Sequence, residues 1–280
     1  MNLQIPYSKE YKTIIMGFIK KRVEVASAKK VLIGLSGGVD SSVVAKIVAE
    51  AVGKELVLGL IMPVKETKDT QVAVGFAEEI GIEYQIVKLD KAFSTLLNTY
   101  LKGFAGDVQH LPQMVTGNLS SRLRMTTLYF YANLLNGIVM GTSNKTELLT
   151  GYFTKYGDGG TDAMPLGDLY KTQVFKLAEE LAIPRHIISK KPTAGFYKGQ
   201  TDEDELGIDY PTLDKILYGI ELRLETEEIS ESIGVESEVV RRIERMVQKA
   251  AHKRFLGIVA KVGVRTPGFD WRENIDFGLE

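Results

Sequence analysis

Residues 34 to 42 read Gly34-Leu35-Ser36-Gly37-Gly38-Val39-Asp40-Ser41-Ser42, after the apolar run Val31-Leu32-Ile33 and before Val43-Val44-Ala45-Lys46-Ile47-Val48. A strand that runs into a Ser/Gly turn and opens a helix makes a phosphate cradle. Glycines let backbone N–H groups approach the anion, and the helix start adds partial positive charge. This is not the Gly-x-x-x-x-Gly-Lys-Ser/Thr loop, because the lysine that reaches the outer phosphates there is absent. A carboxylate about 4 Å from a phosphate oxygen is repelled by roughly 4 kcal/mol at an effective dielectric of about 20. An acid inside such a loop therefore makes sense beside a divalent cation, and Asp40 is a candidate Mg²⁺ ligand. The competing reading is a plain helix start, with Asp40 or Ser41 as cap and the glycines shaping a turn.

The rest of the chain puts this loop in an α/β frame. Ile14, Ile15, Phe18, Ile19 and Val23 predict an amphipathic helix over 8–26. Alternating units follow: strand 30–35, helix 41–52, strand 55–61, helix 68–80, strand 82–88 and helix 90–101. Crossovers of this length imply parallel pairing with right-handed connections. A helix over about 118–135 leads into a further buried strand, Gly137-Ile138-Val139-Met140-Gly141. The expected fold is a doubly wound parallel sheet with its ligand at the carboxyl ends of the strands. Residues 102–117, with Gly103, Gly106 and Pro112, read as an irregular excursion. Residues 151–162 and 192–207 read as movable lids, with plain surface linker as the alternative.

A chain of 280 residues can bury roughly three quarters of its unfolded surface, enough for one α/β domain with a helical appendage. We expect a single domain over 1–280, with a nucleotide-binding core at about 30–190 and a helical extension at about 208–256. Lys+Arg 35 against Asp+Glu 36 gives net charge −1, which offers no global attraction for nucleic acid or anionic membrane. The polar start and the lack of a long apolar run predict a cytoplasmic protein with no membrane segment. There is no cysteine, so this chain carries no thiolate metal site and no cysteine nucleophile. The histidines His110, His186 and His252 are not at metal-ligand spacing, which argues against zinc.

Ser-Gly-Gly-x-Asp-Ser resembles the pyrophosphate loop of the ATP pyrophosphatases, which adenylate a substrate oxygen and release pyrophosphate. Downstream, six blocks occur in the order and approximate spacing seen in NAD synthetases. They are Gly117-Asn118, Arg122-Leu123-Arg124-Met125, Gly141 to Glu147, Phe153 to Gly160, Pro192-Thr193-Ala194 and His252-Lys253-Arg254. The resemblance covers about residues 10–256. It implies a Rossmann-like fold of the adenine nucleotide alpha hydrolase type, and a ligase that forms a carbon–nitrogen bond. In that reaction the nicotinate carboxylate of deamido-NAD⁺ attacks the α-phosphorus of ATP, pyrophosphate leaves, and ammonia displaces AMP from the acyl-adenylate.

The resemblance also implies roles. Gly34, Leu35, Ser36, Gly37, Gly38, Val39, Asp40 and Ser41 form the ATP loop, and Thr142, Lys171 and Thr193 complete the ATP site. Asp40 and Glu147 hold Mg²⁺, and Asp40 and Lys171 are the catalytic pair. Arg122, Lys155, Asp162, His252 and Lys253 meet deamido-NAD⁺. On residue type alone, Glu147 and Lys171 read as solvated helix residues, and for Arg124 a structural ion pair is as plausible as a ligand contact. The resemblance brings a homodimer as well. Glutaminases in coupled synthetases use a cysteine, so the expected nitrogen donor is free ammonia, with a separate ammonia-supplying protein as one source.

Two alternatives compete. One is another adenylating amidotransferase of the same superfamily; its thiol-using tRNA branch fits poorly with a cysteine-free chain, and the GMP synthetase branch lacks the block at 153–160. The other is a nucleotide-responsive DNA reader, because residues 226–243 resemble a helix-turn-helix with a basic second helix. Against it stand Glu236, Glu238 and Glu244 near the surface that would face phosphates.

Overall fold

The computed structural model describes residues 3–102, 104, 111–193 and 201–267. Of the segments singled out above, Gly103, Gly106, His110, Ala194 and Gly195 lie outside the described residues. The core is a four-stranded parallel sheet of β1 (Lys30–Gly34), β2 (Val57–Ile61), β3 (Glu83–Ile86) and β4 (Gly137–Met140). Its order is β3-β2-β1-β4. Register aligns Val31 with Val57 on one side and with Ile138 on the other.

Side chains alternate across this sheet with the period of two that an extended chain imposes. Val31, Ile33, Val57, Ile61, Ile138 and Met140 point to one layer. Leu32, Leu58, Leu60 and Val139 point to the other. Both faces are covered, which is why the central strands read as unbroken apolar runs. The first layer is α1 (Glu10–Val25), α2 (Val39–Val52), α3 (Lys68–Ile80) and α7 (Lys171–Glu180). The second is α5 (Gln113–Leu135), with α4 (Asp90–Lys102) beside it.

The short helices α6 (Lys145–Thr150), α8 (Arg185–Ile188) and α9 (Asp202–Leu206) are followed by α10 (Tyr210–Glu221), α11 (Thr226–Ile233) and α12 (Ser237–Ala250). The last three form the helical extension around Leu213, Ile216, Leu217, Ile229, Val240 and Ile243, a core separate from the sheet. A 3₁₀ turn, Ala251–Arg254, ends it.

Several boundaries differ from expectation for local reasons. β2 starts at Val57, because Gly53 at φ 94° leads into a 3₁₀ turn over Lys54–Leu56. β3 is an edge strand of only four residues, three of them exposed. α5 begins at Gln113, just after Pro112, so the end of the expected irregular excursion is helix; Met114 and Val115 face solvent there and leave no apolar period to read. Asp202–Leu206 of the expected second lid is also helical, capped by Thr201 through the N–H of Asp204.

Candidate active site

In the strand order β3-β2-β1-β4, the chain proceeds from β1 outward to β3 and then returns to the other side of β1. The crevice at such a reversal, beyond the carboxyl ends of β1 and β4, is where open α/β sheets bind ligands. The loop after β1 and the segment 141–147 after β4 both open there.

The loop after β1 is held by its own hydroxyls. Ser41 Oγ accepts from Ser36 N at 3.3 Å and donates to Gly38 O at 3.0 Å, while Ser42 Oγ donates to the same carbonyl at 2.9 Å. Gly37 has φ 75°, and a Cβ there would lie 2.6 Å from the carbonyl oxygen of Asp69. Only glycine fits both the backbone conformation and the space. Gly38 is the N-cap of α2 and provides no side-chain cap, so the first N–H groups of α2 face the crevice with their partial positive charge.

Asp40, in the first turn of α2, meets two residues from distant parts of the chain. Its Oδ1 accepts from Asn144 Nδ2 at 2.9 Å, and its Oδ2 accepts from Lys171 Nζ at 2.5 Å. Lys171 Nζ also lies 3.6 Å from Glu147 Oε1. Asn144 and Glu147 form a capping box at the start of α6: Glu147 N donates to Asn144 Oδ1 at 3.0 Å, and Asn144 N donates to Glu147 Oε2 at 3.2 Å. That box fixes Glu147 against the residue that holds Asp40.

Lys171 and Glu147 are therefore not solvated helix residues. The Lys171 side chain is 2% exposed, and that of Glu147 is 16% exposed. Burial alone would pull the Lys171 ammonium down, but Asp40 and Glu147 outweigh it and hold the group firmly charged, above its ordinary value. Burial, reinforced by the nearby Asp40 carboxylate, pushes Glu147 up to about 8. The two carboxylates converge on the Lys171 ammonium, and as oxygen donors they are of the type that suits a hard ion such as Mg²⁺ that keeps several waters. Among the described residues, no group of three acids, histidines or cysteines could hold a metal.

The residues assigned to the second substrate gather elsewhere. Arg122 on α5 donates from Nε and Nη2 to the carbonyl of Lys155, at 3.4 and 3.3 Å. Lys155 Nζ donates to His252 O at 2.8 Å, and Lys253 Nζ donates to Gly151 O and Phe153 O at 2.7 and 2.9 Å. These cations are held by neutral carbonyls, so their charge stays available to an anionic ligand. Asp162 stands apart: its oxygens accept from Tyr129 Oη at 2.9 Å and from Val139 N at 2.8 Å, which pins the segment against β4. Arg124 Nε donates to Met62 O at 3.1 Å, a backbone carbonyl. Thr142 lies half-buried after β4, and Thr193 is half-buried at the edge of the described segment.

The loop 151–162 is tied down. Asp158 Oδ1 accepts from Ser121 Oγ at 2.7 Å and from Thr154 N at 2.9 Å, and Thr154 Oγ1 donates to Asn118 Oδ1 at 2.7 Å. The basic face of α12 is largely neutralised, with Arg241 on Glu227 at 2.6 Å and Arg245 on Glu238 at 2.5 Å. Its apolar stripe packs on α10 and α11, so the helix-turn-helix likeness is a packed helical extension and not an open basic reader.

Asn144, Asp202 and Tyr210 are site neighbours to which the sequence assigns no role. Asn144 had a readable signal, the Asn-x-x-Glu box at a helix start. Asp202 is 4% exposed, accepts from Tyr210 Oη at 2.9 Å, and feels both Lys171 and Asp40 electrostatically. Nothing in the acidic run 202–205 distinguishes it from its less buried neighbours.

Sheet, phosphate cradle and the two-acid, one-lysine cluster together define a nucleotide-binding α/β enzyme. A sequence profile described as NAD synthase matches residues 11–257, and the chain belongs to the NAD synthase family, whose activity is carbon–nitrogen ligation. The NH(3)-dependent NAD(+) synthetase of Pyrococcus furiosus is 44% identical over 251 residues, 89% of this chain and 93% of the relative. That of Methanococcoides burtonii is 41% identical over 245 residues, 87% of this chain and 91% of the relative. Among solved structures, NMN synthetase from Francisella tularensis matches with TM-score 0.79 at 34% identity, covering 91% of this chain and 99% of that one. The NH3-dependent NAD synthetase from Campylobacter jejuni matches with TM-score 0.74 at 27% identity, covering 90% and 98%.

Proposed function

We propose that this chain amidates deamido-NAD⁺ with free ammonia, at the expense of ATP, through an acyl-adenylate, giving NAD⁺, AMP and pyrophosphate. The observation that carries the reading is the convergence of Asp40 and Glu147 on Lys171 Nζ beside the glycine cradle. A carboxylate is a poor acyl donor, and adenylation supplies its leaving group. The backbone N–H groups at Ser36 to Ser41 bind the outer phosphates, and Lys171 holds positive charge where pyrophosphate departs. Mg²⁺ would be held by Asp40 and Glu147, and when bound it would neutralise charge on the leaving phosphates. Thr142 and Thr193 complete the ATP site. Arg122, Lys155 and Lys253 offer cations to the dinucleotide phosphates, His252 sits beside Lys155, and Asp162 shapes the wall between the two substrates.

With no cysteine in the chain, the thiol route to ammonia from glutamine is closed within it. We place the enzyme in the cytoplasm as a homodimer. Exposed Met114, Val115, Phe130 and Leu134 on α5 support self-association, because apolar patches on one helix are costly in water. No described helix is long and apolar enough to cross a membrane.

The resemblance to an NMN synthetase favours a second acceptor, nicotinate mononucleotide, for the same chemistry. Both readings are tested by measuring pyrophosphate and AMP release with each nicotinate nucleotide, using ammonium or glutamine as nitrogen source. We expect turnover with the dinucleotide and ammonium. Preference for the mononucleotide would replace the acceptor, and robust turnover on glutamine would overturn the ammonia assignment.

A further inference from the structure

One of the contacts between the helical extension and the candidate ATP site is a fully buried acid. Asp214 on α10 is 0% exposed and flanked by the core residues Leu213 and Ile216. Its Oδ1 accepts from Thr146 Oγ1 at 2.5 Å, and its Oδ2 accepts from Thr172 N at 2.8 Å. Thr146 Oγ1 accepts in turn from Lys171 N at 3.0 Å. Thr146 precedes Glu147 in the first turn of α6, and Thr172 follows Lys171 in the first turn of α7. One carboxylate thus ties together the two helix starts that present Glu147 and Lys171.

Packing does not call for an acid there. Burying a carboxylate against neutral donors is expensive, and an apolar residue of similar size would add to the surrounding core. The carboxylate supplies direction instead: two acceptor atoms in one rigid plane, each satisfied by a different helix start. Its negative charge also faces the N-terminal turn of α7, where unpaired N–H groups carry partial positive charge. The cluster it serves is sensitive to register, since Lys171 Nζ sits 2.5 Å from Asp40 and 3.6 Å from Glu147.

We propose that Asp214 is a positioning residue: through Thr146 and Thr172 it sets α6 against α7, and thereby aims Lys171 and Glu147 at the nucleotide without touching a reacting atom. The inference rests on the reading of those two side chains as ATP-site residues. Its test compares wild type with Asp214→Asn, Thr146→Val and Thr146→Ser, measuring KM and kcat for each substrate, ATP affinity by calorimetry and near-ultraviolet circular dichroism. Misplacing catalytic groups by about 1 Å costs up to about 10²-fold. We therefore expect Asp214→Asn and Thr146→Val to weaken kcat/KM for ATP and ATP affinity at least about tenfold, with KM for the nicotinate dinucleotide within about twofold. Thr146→Ser keeps the bridging hydroxyl and should return both to near wild type.

Should Asp214→Asn fail to fold, the Val and Ser variants at Thr146 still decide the matter. A folded Thr146→Val with unchanged ATP parameters, or a Ser variant as weak as the Val variant, would overturn the positioning role. Absence of pyrophosphate release by wild type would instead overturn the functional reading itself.

Discussion

Lys171 Nζ and Asp40 Oδ2 lie 2.5 Å apart although 131 positions separate the two residues in the chain. With Glu147 at 3.6 Å, the lysine is the cation that allows two acids to share a site almost closed to water.

Removing that cation should be costly. Lys171→Met leaves Asp40 and Glu147 facing each other with no positive partner, and breaking a buried pair typically costs about 3–5 kcal/mol. The variant should melt well below wild type, and less so at pH 5 than at pH 8, because Glu147, pushed up to about 8, is protonated at pH 5 and no longer repels Asp40. Equal losses at both pH values in thermal melts would contradict this account.

Asp40→Asn is nearly isosteric and its amide oxygen can still accept from Asn144, but its Nδ2 then faces the buried Lys171 ammonium, donor against donor. The fold should survive with a lowered melting temperature, since Lys171 keeps only Glu147 as partner, while pyrophosphate release falls at least about 10²-fold from loss of one charge at the proposed metal site. Retained turnover in a release assay would remove Asp40 from the metal site.

Glu147 predicts how stability depends on pH. Its carboxyl titrates near 4.5 in an unperturbed chain and is pushed up to about 8 in the ligand-free fold, by burial first and by Asp40 second. Between those values the folded state holds a proton that the unfolded state has lost, so stability declines as pH rises through this window. Denaturant midpoints taken at pH 5, 7 and 8.5 in metal-free buffer should fall progressively. Glu147→Gln should flatten the trend, and an unchanged slope in that variant would sink the assignment.

Gly37→Ala should damage ATP binding selectively. The left-handed φ costs an alanine roughly 1–2 kcal/mol, and its Cβ would meet the Asp69 carbonyl at 2.6 Å. We expect KM for ATP to rise at least about tenfold, with the dinucleotide KM unaffected. Steady-state kinetics with each substrate varied in turn checks both.

The readable parts of this chain are those whose physics is local. The phosphate loop declares itself through glycines, hydroxyls and the apolar runs beside it, and the central strands through continuous burial on both faces. The start of α5 was not readable, since exposed Met114 and Val115 erase the periodicity. Lys171 and Glu147 read as solvated on residue type alone, and only their family likeness pointed to the site. Asp214 offered no signal at all, because one acid on an amphipathic helix looks the same whether it faces water or two helix starts.

The parallel α/β layering and the anion-binding turn are written in the residues themselves, because alternation, glycine spacing and helix starts act within a few neighbouring residues. Which charges meet depends on the folded chain. Asp40 from α2, Glu147 from α6 and Lys171 from α7 acquire their shared environment only when the sheet and the helical extension close around them. Burial then makes their mutual attraction and repulsion strong, where in the unfolded chain water would have screened both.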